Sequence, residues 1–369
     1  MTANSFRPAP RGRRPAVLGE PIVDPAGWSA AALASSEDYV YRLSDDETAE
    51  ILAAVERVEK SAIPLQHVTR ADFPLPRFAK VMAEVVKDEM MAGRGFIFLR
   101  GLPSAGRSVW QHIIAQWGLG CYVGKATPQN GKGHLVEHVM NAGADIDSPT
   151  GRGYDSPSAL GFHADSADAF SLMCIRPAKA GGEHRIVSSV TVYNEMLKRR
   201  PELVPELAFC FYRTRRGDVL PGELPYNRQP VFSVTDGYFS ARGAANTVTR
   251  AQKLPGVPPL TDAQTEALDL YQTLAGELSL YVDWQPGDVS FVLNHVALHA
   301  RTAYEDWPDR ERRRHLLRLW LDCAGERPLQ ADIAREMLGI KLPAGVVPKI
   351  PRDITEVLTD EAVHQGGQQ

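Results

Sequence analysis

Apolar residues recur at helical intervals in the first third of the chain. Ser44 and Glu47 have the spacing of a capping box, which satisfies backbone N–H groups at the start of a helix. Apolar residues then follow every three or four positions, at Ile51, Leu52, Val55 and Val58. Two further helices are predicted over residues 78–90 and 110–117, each ending close to a glycine. The apolar stripes of these helices predict faces that pack on the core.

Short apolar runs between turn residues replace these stripes further along the chain. Residues 95–102 form a short apolar run bracketed by glycines, which is typical of a strand buried on both faces. Shorter strands are predicted over residues 172–175, 186–190, 209–212 and 231–240, the last around an Asp236-Gly237 turn. Helices around residues 193–199 and 261–278 interrupt them. Because strands and helices do not alternate strictly, the pattern predicts an α+β, mainly β fold with a sheet core covered by helices.

The same patterns predict how the chain is divided. No repeat of roughly 20 to 50 residues and no Ser/Gly linker is visible in the sequence. We therefore predict one domain over residues 21–350, with its core over about residues 95–322. Residues 1–20, which are rich in arginine, are predicted to be a disordered basic tail, and residues 351–369 a C-terminal tail.

Composition and charge narrow the classes of function. The chain has 369 residues, of which 44% are hydrophobic and 23% charged, as in a globular protein with a sizeable core. Its net charge of −4 gives no electrostatic case for binding nucleic acid, so small molecules are the expected partners. No apolar run approaches the length that crosses a bilayer, and four widely spaced cysteines predict a reduced, cytoplasmic protein. A homo-oligomer is compatible with this composition.

A histidine and an aspartate two positions apart mark the candidate site. Side chains alternate along a strand, so His163 and Asp165 would project to the same side. His299, which ends an apolar run after a Pro286-Gly287 turn, is the best candidate for a third ligand. Two imidazoles and one carboxylate on one face of a metal leave three positions open, as in the facial triad of non-haem Fe(II) oxygenases.

Two arginines in a downstream apolar run are the candidate anion site. Arg314 and Arg318 are four positions apart, so on a strand they share a face, and a guanidinium binds a carboxylate through two parallel hydrogen bonds. A polar turn over residues 305–310 separates this run from His299. If the two strands pair antiparallel about the turn, His299 lies opposite Arg314. This pairing predicts a guanidinium near the metal.

At these residues the sequence resembles the TauD/TfdA (taurine dioxygenase-like) family of Fe(II)- and 2-oxoglutarate-dependent oxygenases. The resemblance extends from about residue 95 to residue 322. The first metal motif of the family matches His163-Ala164-Asp165, its Gly-Gly turn matches Gly181-Gly182-Glu183, and its distal histidine matches His299. Its arginine pair matches Arg314 and Arg318.

The resemblance implies a double-stranded β-helix, or jelly roll, in which His163, Asp165 and His299 bind Fe(II). It also implies that Arg314 holds the distal carboxylate of 2-oxoglutarate, with Arg318 nearby as a second cosubstrate or substrate contact. His184 stands where the family usually has a threonine that hydrogen-bonds the cosubstrate. Because a neutral imidazole can donate one hydrogen bond, His184 is a further candidate contact.

Three functions are consistent with these residues. The first is a dioxygenase that uses Fe(II), 2-oxoglutarate and O2 to oxidise, most simply to hydroxylate, a C–H bond of a small molecule, releasing succinate and CO2. The second is a zinc hydrolase on the same ligands, and the third is a jelly-roll binding protein without turnover. The arginine pair favours the first, because a hydrolase needs no carboxylate clamp. The glycine-rich residues 141–158 are predicted as either an active-site lid or a connection.

Overall fold

Nine α-helices lie in the part of the chain that this computed structural model describes, which comprises residues 6–142, 153, 156–243, 245–323 and 325–357. The helices are α1 Ala30–Ser36, α2 Asp45–Glu59, α3 Phe78–Val81, α4 Asp88–Ala92, α5 Val109–Gly120, α6 Ser189–Arg199, α7 Ala245–Ala251, α8 Asp262–Glu277 and α9 Ala331–Glu336. The predicted capping box is confirmed, since the Ser44 side chain accepts from the Glu47 N–H and Glu47 caps the Ser44 N–H. The predicted helix over residues 78–90 is interrupted, because a π-helical segment, Met82–Lys87, separates α3 from α4.

The same described residues form seventeen strands, which connect and underlie these helices. The first nine are β1 Val40–Arg42, β2 Phe96–Arg100, β3 Lys125–Ala126, β4 Val136–Val139, β5 Leu160–His163, β6 Ala169–Arg176, β7 Ala180–Gly181, β8 His184–Ser188 and β9 Phe211–Thr214. The other eight are β10 Tyr226–Gln229, β11 Phe232–Thr235, β12 Tyr238–Ala241, β13 Leu280–Val282, β14 Val289–Leu293, β15 Ala297–Arg301, β16 Tyr304–Glu305 and β17 His315–Asp322. The predicted hairpin is confirmed as β11 and β12, with both Asp236 and Gly237 in the left-handed region that such a turn requires.

Two sheets form the body of the protein. The larger has seven strands in the order β1-β2-β14-β6-β17-β3, with β4 also paired to β17, and the smaller has the order β13-β8-β15-β5. Apolar side chains from both sheets form one buried cluster, to which the larger sheet contributes Phe98, Phe170 and Trp320 and the smaller Ile186 and Val282. The predicted jelly-roll core is therefore confirmed, with the two sheets packed face to face.

Helices cover the outer surfaces of this body, as the apolar stripes predicted. Ile113 and Ile114 of α5 are fully buried, in one apolar cluster with Met173 of β6 and Leu317 and Leu319 of β17. On the other side, α6 packs against α8. Every residue of β2 is consequently buried.

The predicted pairing about residues 305–310 is wrong. β15 pairs with β5 and β8 in the smaller sheet, whereas β17 pairs with β3, β4 and β6 in the larger sheet. A hairpin was expected because consecutive strands usually pair, but a jelly roll sends consecutive strands to opposite sheets. Arg314 therefore does not lie across a strand pair from His299, and approaches the site from the opposite sheet.

The N-terminal residues differ from the predicted disordered tail where the structure describes them, from residue 6 onward. The Ala9 N–H donates to the buried carboxylate of Glu89, and Arg11 forms an ion pair with Asp88. The Ala16 N–H donates to the carbonyl of Gly237 at 2.8 Å. The arginines that suggested a free basic arm are thus partly neutralised against the body of the protein. Residues 1–5, 143–152 and 358–369, with most of the predicted lid among them, lie outside the described residues.

Two further observations bear on the sequence predictions. All four cysteines are free thiols. Among the described residues, no helix has the length and apolar character needed to cross a membrane.

Candidate functional site

The three predicted metal ligands lie together at one end of the smaller sheet. His163 is the last residue of β5 and pairs directly with His299 of β15, so the antiparallel register places the two imidazoles side by side. Asp165 follows β5 by two residues. One potential ligand atom from each of His163, Asp165 and His299 lies within 4.8 Å of the others. Two imidazoles and a carboxylate at this spacing form a donor set that suits a divalent iron ion.

Both imidazoles are prepared to act as neutral ligands. The surrounding protein withholds water from the rings, which lowers the pKa of His163 and, more strongly, that of His299. The Nδ1 of His163 lies 2.9 Å from the carbonyl of Gly161. Donation of that N–H to the carbonyl leaves Nε2 as the lone-pair nitrogen for a metal.

The Asp165 carboxylate is held by the larger sheet. The Trp320 indole N–H donates to Oδ2 at 2.9 Å, and Nη1 of Arg318 lies 3.3 Å from Oδ1, so each oxygen has its own partner. The backbone N–H of Asp165 donates to Oδ1 of Asn294 at 3.0 Å. These contacts fix the direction of the carboxylate before a metal arrives.

Arg318, the second predicted arginine, lies beside the Asp165 carboxylate. Besides Asp165, its Nε donates to Oε1 of Gln129 at 2.7 Å. The side chain is 9% exposed and also lines the cavity beside the triad. Its contacts favour a role in holding Asp165, and its role toward 2-oxoglutarate stays a prediction.

Arg314 and His184 each present an unsatisfied polar atom close to the triad. Arg314 is 3% exposed, and its Nη1 is buried without a hydrogen-bond partner among the described residues. The same is true of Nε2 of His184, whose ring centroid lies 5.9 Å from that of His299. Burial, with a smaller contribution from the charge of Arg314, lowers the pKa of His184 to about 3 and keeps its ring neutral. Buried polar groups are normally paired, so two such atoms beside a metal triad indicate a ligand site.

The Gly-Gly turn makes room for Arg314. Gly182 has φ of +74°, and a Cβ built on it would lie 3.2 Å from Nε of Arg314 and from Cβ of Tyr304. The Arg314 guanidinium in turn lies over the Tyr304 ring, 5.1 Å from its centroid. A side chain at position 182 would therefore be strained and would crowd the guanidinium, which accounts for the glycine of the sequence motif.

A cavity of about 190 Å³ lies next to His163 and Asp165. A buried water needs roughly 10–15 Å³, so the cavity has room for a small molecule. Its described lining carries eight basic and four acidic side chains, which makes it electropositive. Two of the basic residues, Arg213 and Arg242, were not predicted, because they contact backbone carbonyls 30 and 77 positions away and no local pattern marks such contacts.

Replacing Trp320 tests whether its hydrogen bond to the Asp165 carboxylate contributes to metal binding. We expect Trp320→Phe to weaken Fe(II) binding by about tenfold to a hundredfold, the usual effect of losing a partner that orients a metal ligand. The measurement is an anaerobic Fe(II) titration. Trp117→Phe is the control, since that indole donates to the Val68 carbonyl at 3.1 Å, in contact with another part of the core. Equal Fe(II) affinity in Trp320→Phe and the unmodified protein would show that Arg318 and Asn294 suffice.

Comparisons with known proteins agree with this geometry. A family model described as taurine catabolism dioxygenase TauD, TfdA family matches residues 61–320. FR-33289 synthase of Streptomyces rubellomurinus is 30% identical over 339 residues, covering 89% of this chain and 98% of that protein. The taurine hydroxylase-like protein SAT17 of Stachybotrys chartarum is 27% identical over 315 residues, covering 82% of this chain and 80% of that protein.

Solved structures show the same fold. Asparagine oxygenase, in complex with Fe(II), 3-hydroxyasparagine and succinate, superposes with a TM-score of 0.62 at 19% identity, covering 83% of this chain and 100% of that one. The non-haem iron oxygenase OrfP, in complex with Fe and alpha-ketoglutaric acid, gives a TM-score of 0.59 at 16% identity, covering 81% of this chain and 99% of that one.

Proposed function

Because the chain belongs to the taurine catabolism dioxygenase TauD, TfdA family, we propose that it hydroxylates a C–H bond of a small molecule at a site built on His163, Asp165 and His299. The protein is an Fe(II)- and 2-oxoglutarate-dependent dioxygenase, with O2 as the second cosubstrate. Succinate and CO2 are the expected coproducts. The observation that carries the proposal is the buried, unsatisfied Nη1 of Arg314 beside a complete two-histidine, one-carboxylate triad.

Each residue of the site has a distinct task in this proposal. His163, Asp165 and His299 would hold Fe(II), and a donor set of three leaves positions at the metal for the cosubstrates. When bound, iron and 2-oxoglutarate supply an oxidant able to attack an unactivated C–H bond. Arg314 binds the distal carboxylate of 2-oxoglutarate with its planar fork, and His184 offers the same molecule one hydrogen bond.

The cosubstrate side of the site is closed to water. Arg314 and His184 are both buried, so an ion pair formed there is screened far less than one at the surface. Tyr304 and Asp306 offset part of the cost of burying the Arg314 guanidinium, and a bound carboxylate would offset more of it. This arrangement favours the state in which the Arg314 guanidinium is bound to 2-oxoglutarate over the unbound state.

Metal-dependent consumption of 2-oxoglutarate is the test. We expect the purified chain, given Fe(II), O2 and 2-oxoglutarate, to form succinate, and to do so faster with its substrate. A panel of small amino acids and taurine is a reasonable first set, since the similar proteins named above include an asparagine oxygenase and a taurine hydroxylase-like protein. Labelled O2 should place one oxygen atom in the hydroxylated product.

Zinc is the matched control for this experiment. The same preparation loaded with Zn(II) should form no succinate, because the reaction needs a redox-active metal. Hydrolysis by the zinc form, with no succinate from the iron form, would favour the hydrolase hypothesis. Binding of small molecules with neither reaction would favour a binding protein.

A further inference from the structure

Two buried histidines form a pair outside the site described above. His138, on β4, is fully buried, and His315, the first residue of β17, is 3% exposed. Nδ1 of His138 lies 2.9 Å from Nε2 of His315. Neither histidine is among the described residues that line the cavity, so the proposed catalytic role of the site does not account for the pair.

The partners at the two ends of the pair determine where its protons lie. Nε2 of His138 lies 3.1 Å from the carbonyl oxygen of Pro351, which can only accept, so this nitrogen carries the proton. Nδ1 of His138 is then a lone pair that accepts from the Nε2–H of His315. At the other end, Nη2 of Arg176 lies 3.4 Å from Nδ1 of His315, and a guanidinium can only donate. All the hydrogen bonds therefore run in one direction, from Arg176 towards the carbonyl, and both rings are neutral.

This chain of hydrogen bonds has no place for an additional proton. A proton added to His315 would meet the N–H of Arg176, and a proton added to His138 would meet the N–H of His315. In either case two donors would face each other in a buried site, where an unsatisfied polar group costs roughly 1–3 kcal/mol. Either ring can therefore take up a proton only if a contact of the chain is broken.

The surroundings of the pair also disfavour its protonation. Burial lowers the pKa of His138, and the hydrogen bond to the Pro351 carbonyl opposes this shift only in part. Burial lowers the pKa of His315 well below its usual value, with further contributions from His138 and Arg176. The charged and titratable groups that face the two rings, from β4, α5, β6, the start of β17 and the C-terminal residues, are His134, Glu137, His112, Arg176, Arg314 and Asp353.

The carbonyl that accepts from His138 belongs to a segment that we call the C-terminal strap, residues 339–352. Near this carbonyl the strap is also held through its backbone. The Lys349 N–H donates to the carbonyl of Gly133, and the Leu135 N–H donates to the carbonyl of Lys349, each at 2.9 Å. The histidine pair is thus one of three contacts that hold this end of the strap on the residues before and within β4.

The other end of the strap forms part of the cavity wall. Gly339, Ile340 and Lys341 line the cavity. The Ile340 N–H donates to the carbonyl of Pro128 at 2.8 Å, so this end is held by the same loop, residues 127–135, that holds the other. A change at the histidine pair can therefore reach the cavity through the strap.

We propose that the His138–His315 pair is an acid-sensitive switch, which holds the C-terminal strap at neutral pH and releases it in acid. With the strap released, the pair is hydrated, and at least one ring can take up a proton at an ordinary pKa of about 6.5. Only the released form gains this proton. The attached form is therefore favoured above about pH 6.5, and its advantage falls by up to about tenfold for each pH unit below that value. The inference goes beyond the proposed function and does not depend on it, because it concerns how the cavity wall is held, whatever the cavity binds.

Nitrogen NMR of the histidine rings tests the positions of the protons. The sample is the full chain labelled with nitrogen-15 and loaded with Zn(II), a diamagnetic substitute for Fe(II). His138→Gln and His315→Gln assign the two sets of signals. At pH 7.5 we expect each ring to carry its only proton on Nε2. An imidazolium at either residue while the strap remains attached would overturn the proposal.

Amide hydrogen exchange measures release of the strap. Protection factors of residues 339–352 and of β14 are compared at pH 7.5 and 5.0, after correction for the effect of pH on exchange itself. We expect the protection of the strap to fall about tenfold or more over this range, and to stay below that of β14 at pH 5.0. Such a result indicates local release and not unfolding of the whole protein. Unchanged protection of the strap, or loss of protection only together with β14, would refute the switch.

Arg176→Met separates the switch from the general effect of acid on the protein. Without the guanidinium, His315 can accept a proton on Nδ1 and still donate from Nε2 to His138, so the attached form also binds the proton. We therefore expect the loss of strap protection in acid to be at least about threefold smaller than in the unmodified protein.

Arg70→Met is the matched control for this variant. Arg70 also donates to backbone carbonyls, those of Cys121 at 2.7 Å and Tyr122 at 3.2 Å, at the end of α5. Its replacement should leave the full loss of strap protection in acid. An undiminished loss in folded Arg176→Met would overturn the proposed chain of hydrogen bonds. If Arg176→Met does not fold, the ring tautomers and the hydrogen exchange of the unmodified protein decide the question.

Discussion

His299→Ala should abolish Fe(II)-dependent formation of succinate and weaken Fe(II) binding by more than about a hundredfold. Loss of a partner that merely orients a ligand costs about tenfold to a hundredfold, so loss of a ligand itself should cost more. His299 is central because it is buried, is paired with His163 across two strands, and contributes one of three donor atoms that lie within 4.8 Å. Fe(II) affinity, measured by anaerobic titration, and succinate, measured by mass spectrometry, are the two readouts.

His112→Ala controls for the removal of a buried imidazole. His112 lies in α5, is 2% exposed, and contacts the Ser104 hydroxyl at 2.9 Å and the Ser108 carbonyl at 2.8 Å, with no part in the triad. Its loss should lower the free energy of unfolding by roughly 1–3 kcal/mol and leave Fe(II) affinity unchanged. Full iron occupancy and turnover in His299→Ala would show that His299 is not a ligand and that other residues bind the metal.

Arg314→Lys should raise the apparent dissociation constant for 2-oxoglutarate by about tenfold to a hundredfold. Charge-assisted hydrogen bonds contribute about 1.5–3 kcal/mol, and lysine keeps the charge while losing the planar fork that binds both carboxylate oxygens. Because the charge is kept, the fold should survive and the effect should appear in the cosubstrate titration. Binding is measured anaerobically on the Fe(II) form, and turnover over a range of 2-oxoglutarate concentrations.

Arg313→Lys is the neighbouring control. Arg313 donates to the carbonyls of Trp307 and Pro308, each at 3.3 Å, in the turn before β17. The Arg313→Lys substitution should leave the apparent dissociation constant for 2-oxoglutarate within about twofold of that of the unmodified protein, as expected for a partly exposed surface contact. An unchanged titration in Arg314→Lys would instead point to Arg318 or another cation as the anchor.

The sequence predicted the parts of the site that depend on short spacing. His163 and Asp165 are two positions apart at the end of a strand, and the family motifs placed His299 and Arg314 in the right order. The separate sheets of β15 and β17 could not be predicted in this way, because both strands have apolar patterns and nothing local shows which sheet each joins. The contacts of Arg213, Arg242 and Asn294 were missed for a related reason, since each joins residues distant in sequence.

The three candidate ligands also connect the two sheets mechanically. His163 and His299 belong to the smaller sheet, whereas the Asp165 carboxylate is fastened to Arg318 and Trp320 of the larger one. Metal binding would therefore join the two sheets, and the free energy of binding would add to the resistance of the whole domain to unfolding. At saturating metal, every tenfold gain in affinity corresponds to about 1.4 kcal/mol of added stability. Iron supply would then influence how long the protein survives in a cell as well as how fast it works.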